Sequence, residues 1–259
     1  MHRFYLSPQE CSENILTLTG PEAHHAAQVL RLQVGEPALV LDGVGNEFLC
    51  QTRAVSKKTV QFFLKEKKIT PPLPYRITLF QAIPKGKIME SIIQKATELG
   101  VSRIVPLLTE RVTTHLDSEQ SEIKAEKWRS TAIEAIKQCG QVWLPQIESP
   151  VSPKDFLAHS EKLELSFVGS LQKERRHPRD YFQNFFAQEK RQPHSLGVWV
   201  GPEGDFTPAE LSAIQAAGVL PITLGRLVLR CETAAIFCLA ILNYELQCDK
   251  NGGRPEKIS

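Results

Sequence analysis

None of the six cysteines, Cys11, Cys50, Cys139, Cys231, Cys238 and Cys248, stands in a C-x-x-C pair. That excludes a zinc knuckle and a thioredoxin-type dithiol. Charge of one sign is also missing: 31 Lys and Arg balance 29 Asp and Glu for a net +2, so a nucleic-acid partner would need a local patch. Long apolar runs are absent. The stretch around Ile236 to Leu242 is too short to cross a bilayer and soon meets Asn243 and Glu245. The opening residues MHRFYLSPQEC lack the apolar centre of a secretory signal, and a reducing cytoplasm with free thiols is expected. No G-x-x-x-x-G-K-[ST] and no G-x-G-x-x-G occurs, so neither usual phosphate cradle is present. His24 and His25 are adjacent and point apart, so no metal site is expected. No membrane partner is expected from apolar runs this short.

With 42% hydrophobic residues in 259, the chain can bury a sizeable core in one large domain or two modest ones. The first 70 residues read as β-rich. PALVLDGVG and EFLCQTRAV (37–45 and 47–55) and TVQFFLKEK are divided by Gly, Asn and Ser-Lys-Lys breaks. One helical piece, PEAHHAAQVLRL, interrupts them, with Ala23, Ala27 and Leu30 on one face and Gly35 beyond. TPPLP (70–74) reads as a stiff linker. We therefore expect a first domain over 1–70, a second over 75–248, and a loose polar tail over 249–259.

From residue 75 strands and helices alternate. The strands are RITLFQAI (76–83), RIVPLL (103–108), LELSFVG (163–169), LGVWV (196–200) and PITL (221–224). Ile88, Met89, Ile92, Ile93, Ala96 and Leu99 mark one face of a helix that Gly100 ends. Another helix surrounds Ala125, Trp128, Ala132 and Ile136. Thr207, Pro208 and Glu210 form a capping box with proline at the first helical position, and Gly218 closes that helix. The last helix, from about Thr233 to Leu246, is apolar on most sides and is expected to be buried. The alternation predicts an α/β domain with a mainly parallel sheet covered on both faces.

Ligands bind outside the carboxyl ends of such strands. Two turns lie there: Gly201-Pro202-Glu203-Gly204 after LGVWV, and Gly225-Arg226 after PITL. Glycine lets a backbone approach a ligand without a Cβ in the way. Glu203 and Asp205 would repel a pyrophosphate, whereas S-adenosylmethionine brings hydroxyls, an adenine edge and a sulfonium cation and no phosphate. Both turns also read as ordinary strand-to-helix connections. LVLRCETAA (227–235) delivers Arg230, Glu232 and Thr233 to a helix start, where Glu232 could cap the dipole and pair with Arg230. Cys231 beside them raises a thiol nucleophile as an alternative.

GPEGDF (201–206) and LGRLVLRCETA (224–234), with QAIPKGKIMESIIQKATELGV (81–101), the TER at 109–111 and HHAAQVLRL near the start, together resemble the bacterial 16S ribosomal RNA (uracil-N3)-methyltransferases, a branch of the SPOUT methyltransferases. The resemblance runs from Arg3 to about Leu246. Asp205 stands where the family usually has glycine, Cys231 where it commonly has threonine, and Gln141 where arginine is frequent.

The resemblance implies a SPOUT-type α/β domain with a parallel sheet and a trefoil knot behind a small PUA-like β-barrel, acting as a homodimer. Spacing rules alone would not predict a knot. It implies methylation of N3 of a uridine in 16S rRNA of the small subunit, near the decoding centre, with S-adenosylmethionine as cofactor. Gly201, Pro202, Glu203, Gly204, Leu224, Gly225, Leu229 and Thr233 are the implied cofactor residues, and Arg230 and Glu232 the implied catalytic pair. Candidate RNA contacts are Lys173, Arg175, Arg176 and Arg179 in QKERRHPR, then Arg3, His25 and Arg31. A SPOUT ribose 2′-O-methyltransferase and a non-catalytic RNA-binding assembly factor remain as alternatives.

Overall fold

The computed structural model describes residues 1–112, 116–159, 162–170 and 175–247. It divides into two compact units, one of Met1–Leu73 with Ala132–Leu144 and one of Pro74–Thr131 with Pro145–Ser259.

The first unit begins with β1 (His2–Tyr5) and β2 (Ile15–Leu18), passes through helix α1 (Gly20–His24), and continues as β3 (Pro37–Leu41), β4 (Asn46–Val55) and β5 (Val60–Ile69). The sheet order is β1-β3-β4-β5-β2, with β1 parallel to β3 and the other pairs antiparallel. Alternate residues point inward, so Phe4, Leu16, Leu18, Val40, Phe48 and Phe62 share one core. The helix expected over PEAHHAAQVLRL is shorter than its pattern. After His24 it widens into a π turn, His25–Val29, in which the Leu30 N–H donates to the His25 carbonyl at 2.9 Å. Arg31 then turns left-handed (φ 52°), and the chain reverses so that Leu32 joins Ala23 and Ala26 in the core.

The segment Ala132–Leu144 is bound into this unit by polar contacts at specific points. Lys137 Nζ lies 2.6 Å from Glu22 Oε1, the Arg3 guanidinium donates to the carbonyls of Lys137 and Gln138 at 3.4 Å, and Trp143 Nε1 donates to the Thr70 carbonyl at 3.0 Å. A Cβ on Gly45 would fall 2.6 Å from the Trp143 ring, so glycine is required where that ring lies flat on the chain.

The second unit runs β6 (Arg76–Ala82), α2 (Ile88–Glu98), β7 (Arg103–Leu107), α3 (Ser118–Cys139, which from Ala132 on belongs to the first unit), β8 (Gln146–Ile147), α4 (Pro153–His159), β9 (Leu165–Gly169), α5 (Pro178–Glu189), β10 (Ser195–Val200), α6 (Pro208–Ala216), β11 (Leu220–Ile222) and α7 (Cys231–Gln247). All six strands are parallel, in the order β11-β9-β10-β6-β7-β8. Phe80 stacks on Trp199 with ring centroids 4.2 Å apart, in a core shared with Phe206, Leu211 and Ile214. The α/β reading and the strand–helix alternation hold.

α5 begins at Pro178, with His177 as its cap, so Arg179 lies in its first turn. One expectation needs correction. α7 is not buried all round: Phe237 is 43% exposed and Tyr244 63%. An apolar helix reads as buried from composition alone, but here the face of Phe237 and Tyr244 is only partly covered, with His177 and Arg179 beside it.

Candidate functional site

The carboxyl ends of three neighbouring strands, β9, β10 and β11, open onto one pocket of about 300 Å³. Its walls come from Gly169 and Ser170 after β9, from Gly201–Glu203 and Asp205 after β10, and from Leu224, Gly225 and Leu227–Cys231 between β11 and α7. That volume lies at the small end of the range for ligand sites, roughly 300–1,000 Å³. Both predicted glycine turns therefore face one space, and a third turn, at Gly169, joins them. The signal for the third was present in LELSFVG, whose strand also ends in glycine.

The first turn is held rigid from outside. Asp205 adopts φ 62°, its N–H donates to the Pro202 carbonyl at 2.9 Å, and its Oδ1 accepts the Phe206 N–H at 2.8 Å. Aspartate tolerates this left-handed geometry better than most residues, which is how it stands in for glycine. A Cβ on Gly201 would meet Asp205 Oδ1 at 3.0 Å and Phe206 N at 3.2 Å. The Arg111 guanidinium donates to the carbonyls of Gly204 and Phe206, which joins the TER segment to the turn. Glu210 accepts the N–H of Thr207 and, with its other oxygen, that of Glu110, both at 2.9 Å.

The turn's acids thus have a use that sequence did not reveal. Glu203 Oε1 accepts the Lys85 N–H at 3.1 Å, and Asp205 bonds its own neighbour. Both carboxylates shape backbone, so charge complementarity to a ligand is not their main reason for being there. The second turn depends on Gly225, whose φ of +106° suits only glycine, and the Gly225 N–H donates to Thr223 Oγ1 at 3.2 Å.

Arg230 lines the pocket and is exposed. No ion pair joins it to Glu232 among the described residues, so the pairing considered from sequence is not formed. Glu232 Oε2 instead accepts the Cys231 thiol at 3.4 Å. Burial, that hydrogen bond and the carboxylates of Glu203 and Glu232 push the Cys231 thiol up to about 12. A thiol so disfavoured as thiolate does not serve as a nucleophile at neutral pH. Thr233 is exposed in the first turn of α7 and does not line the pocket, whereas Leu229 does.

These features meet known proteins at several points. The sequence profile described as an RNA methyltransferase domain matches residues 71–243, and that of an RNA methyltransferase PUA domain matches residues 18–65. The chain belongs to the RNA methyltransferase family. A "Ribosomal RNA small subunit methyltransferase E" from Synechocystis is 33% identical over 249 residues, 95% of this chain and 78% of that protein. A putative methyltransferase from Legionella pneumophila, solved in complex with the bound cofactor SAM, has TM-score 0.84 at 33% identity and covers 93% of this chain and 96% of that one. A ribosomal RNA small subunit methyltransferase E from Neisseria gonorrhoeae, bound to S-adenosyl methionine, has TM-score 0.81 at 26% identity over 93% of this chain and 96% of that one. The expected SPOUT-type α/β domain behind a small PUA-like β domain is the architecture of this RNA methyltransferase.

The RNA candidates of this methyltransferase are scattered. Arg175 donates to the Ser170 carbonyl at 3.2 Å and lines the cofactor-sized pocket. Arg176 is exposed, and its segment bridges to Ile222. Arg179 pairs with Glu245 at 3.5 Å. Lys173 lies outside the described residues. Arg3 caps backbone carbonyls of the segment Ala132–Leu144, while His25 and Arg31 are exposed on and just after the π turn. Sequence reasoning missed Ser170, Arg175, Val228 and Ala234 as pocket walls, and it gave Arg111 no role.

Proposed function

We propose that this RNA methyltransferase transfers the methyl group of S-adenosylmethionine to N3 of a uracil in small-subunit ribosomal RNA, in the cytoplasm and as a homodimer. The observation that carries the reading is the one pocket shared by three glycine-bearing strand ends, with an arginine at its lip that forms no ion pair among the described residues. The residues present fit the cofactor. Gly201 and Gly225 leave room for close backbone contact, no lysine lines the pocket among the described residues, and aliphatic Leu224, Leu227 and Leu229 suit an adenine face. When bound, S-adenosylmethionine supplies an electrophilic methyl group.

The chain's own residues do the rest. N3 lies on the Watson–Crick edge, so the site must receive an unpaired or turned-out base. N3 also carries a proton and becomes a good nucleophile only as the anion. Arg230, free of any ion pair among the described residues, stabilises that anion through a uracil carbonyl oxygen. Glu232, whose Oε2 accepts the Cys231 thiol, receives the proton or fixes the segment that carries Arg230. The rigid turn, bound to Arg111 and Glu210, keeps the reacting groups in line.

Dimerisation and the knot belong to the same proposal. Leu227 and Val228 are 78% and 76% exposed on the loop before α7, and Phe237 and Tyr244 extend the apolar surface along α7. Exposed apolar area of this extent marks an interaction site. The order β11-β9-β10-β6 puts β10 beside β6 with β9 outside it, an arrangement in keeping with the knot that the family resemblance implies.

The test is calorimetric titration with S-adenosylmethionine against ATP and NAD, followed by transfer of labelled methyl to unmodified small-subunit rRNA and nucleoside analysis. Selective binding and 3-methyluridine are expected. A 2′-O-methyl product would replace the uracil reading with ribose methylation, and absence of both binding and transfer would leave an RNA-binding factor.

A further inference from the structure

The chain nets only +2, yet between Arg53 and Lys68 six cations face one carboxylate, Glu66. That stretch carries net +5, which leaves the remaining residues net −3. It is the hairpin of β4 and β5, and Arg53, Lys57, Lys58, Lys65, Lys67 and Lys68 are all exposed. None of the six takes part in a salt bridge among the described residues.

The hairpin is built to hold these charges in place. At its tip the Ser56 N–H donates to the Thr59 carbonyl at 2.9 Å, and Ser56 Oγ accepts the N–H groups of Thr59 and Lys58 at 2.9 and 3.3 Å, so Lys57 and Lys58 project from an ordered turn. From Lys58 the cations continue along β5 to Lys68, about 33 Å at the usual strand rise. Midway, Phe63 is 45% exposed, and Lys65 Nζ sits 5.1 Å from its ring centroid. A solvent-facing ring with one ammonium beside it offers a base a stacking platform, while the other cations, Lys67 among them over the Phe48 ring at 5.4 Å, offer the backbone phosphate partners.

We infer that the β4–β5 hairpin is a docking surface for the phosphate backbone of the substrate rRNA, distinct from the candidate contacts at Arg3, His25 and Arg31. The inference rests on the rRNA-methyltransferase reading above. A protein of nearly balanced charge gains RNA affinity by concentrating its cations, since each phosphate neutralised releases counterions. Lipid headgroups would also attract lysines, but one aromatic without a run of apolar neighbours lacks the insertion face that membrane surfaces reward. The other account is edge protection. β2 covers only Val60–Phe63, so the second half of β5 is an open edge that lysines would guard. Edge protection explains neither Arg53 nor the tip, and a carboxylate would serve it equally well.

That difference supplies the test. The variant Lys65→Glu/Lys67→Glu/Lys68→Glu keeps the edge charged, and Lys57→Ala/Lys58→Ala alters only the tip. Binding of in vitro transcribed small-subunit rRNA is measured from about 50 to 300 mM salt, beside S-adenosylmethionine calorimetry and thermal melting. Relative to wild type, the reversed variant should bind rRNA at least tenfold more weakly at about 150 mM salt, with the log–log salt slope smaller by about 2 to 3. The tip variant should lose about 1 to 2 in slope. Cofactor affinity and melting temperature should not change. Unchanged rRNA affinity and slope in both variants would overturn the surface while leaving the methyltransferase reading intact. Wild-type protein that fails to bind rRNA would defeat that reading and the surface with it. Loss of binding to phosphatidylserine vesicles without loss of rRNA binding would assign the hairpin to membranes.

Discussion

Arg230 lines the pocket and its guanidinium forms no ion pair among the described residues, so its removal should cost reaction rather than structure. Arg230→Ala should lower the single-turnover methyl-transfer rate by about 10²–10³, as expected for loss of one donor to a developing anion. Calorimetry should find the S-adenosylmethionine affinity within about twofold of wild type, since uniform binding energy is not what this side chain supplies. An equal loss of affinity would instead make Arg230 a cofactor residue. Cys231 offers the contrasting case. With its thiol held up to about 12, Cys231→Ala should keep methyl transfer, losing only what the hydrogen bond to Glu232 supplies, and near-complete loss would revive the nucleophile. The buried thiols of Cys50 and Cys238 are also pushed up to about 12 by desolvation. Because the unfolded thiols titrate near about 8.5, the folded state holds more protons between that pH and about 12. Stability is therefore full below about 8.5 and falls as pH rises above it. Urea midpoints should decline across pH 8.5–10.5, and Cys238→Ala should decline less steeply; parallel slopes would contradict the burial argument.

At the scale of elements, Glu210 serves two at once. It completes the capping box of α6 and reaches the Glu110 N–H, 100 residues earlier in the chain. Glu210→Ala frees both amides and should cost about 1–2 kcal/mol, a fall of about 2–8 °C in melting temperature for a unit of this size. A change under about 1 °C would show that Arg111 alone holds the TER segment to the turn. α6 was legible in sequence because its signals are local: Thr207, Pro208, Glu210 and Gly218 each act within a few residues. The glycine turns were legible for the same reason, and so was their position at strand ends. What sequence hid is non-local. Arg111 meets Gly204 across 93 residues, and Trp143 fills the space over Gly45. β1 and β2, four residues each, are too short for alternation to register. The π turn at His25–Val29 escaped because its apolar pattern is that of an α-helix until Leu32 must turn inward. The basic hairpin was missed although every residue of it was visible, because its cations fall in three short groups, Arg53, Lys57–Lys58 and Lys65–Lys68, that only the pairing of β4 with β5 brings together.

For the whole molecule, the proposed dimer would tie assembly to chemistry through the apolar surface of α7 and its preceding loop. Leu227 and Val228 line the pocket on one side and are more than three-quarters exposed, so in that proposal one short loop would serve both ligand and second chain. Phe237 and Tyr244 stand seven residues apart, two helical turns along one face, and neither lines the pocket. The variant Phe237→Glu/Tyr244→Glu should therefore convert a dimer into a monomer by sedimentation velocity without touching a pocket residue. If a second chain steadies the loop that carries Leu227 through Arg230, the monomer should also bind S-adenosylmethionine at least about tenfold more weakly, because the ordering of that loop would then fall on the ligand. Retained affinity in a proven monomer would mean that each chain shapes its pocket alone and that dimerisation serves RNA placement. A wild-type protein that sediments as a monomer at about 50 μM would instead leave the apolar face to a different partner.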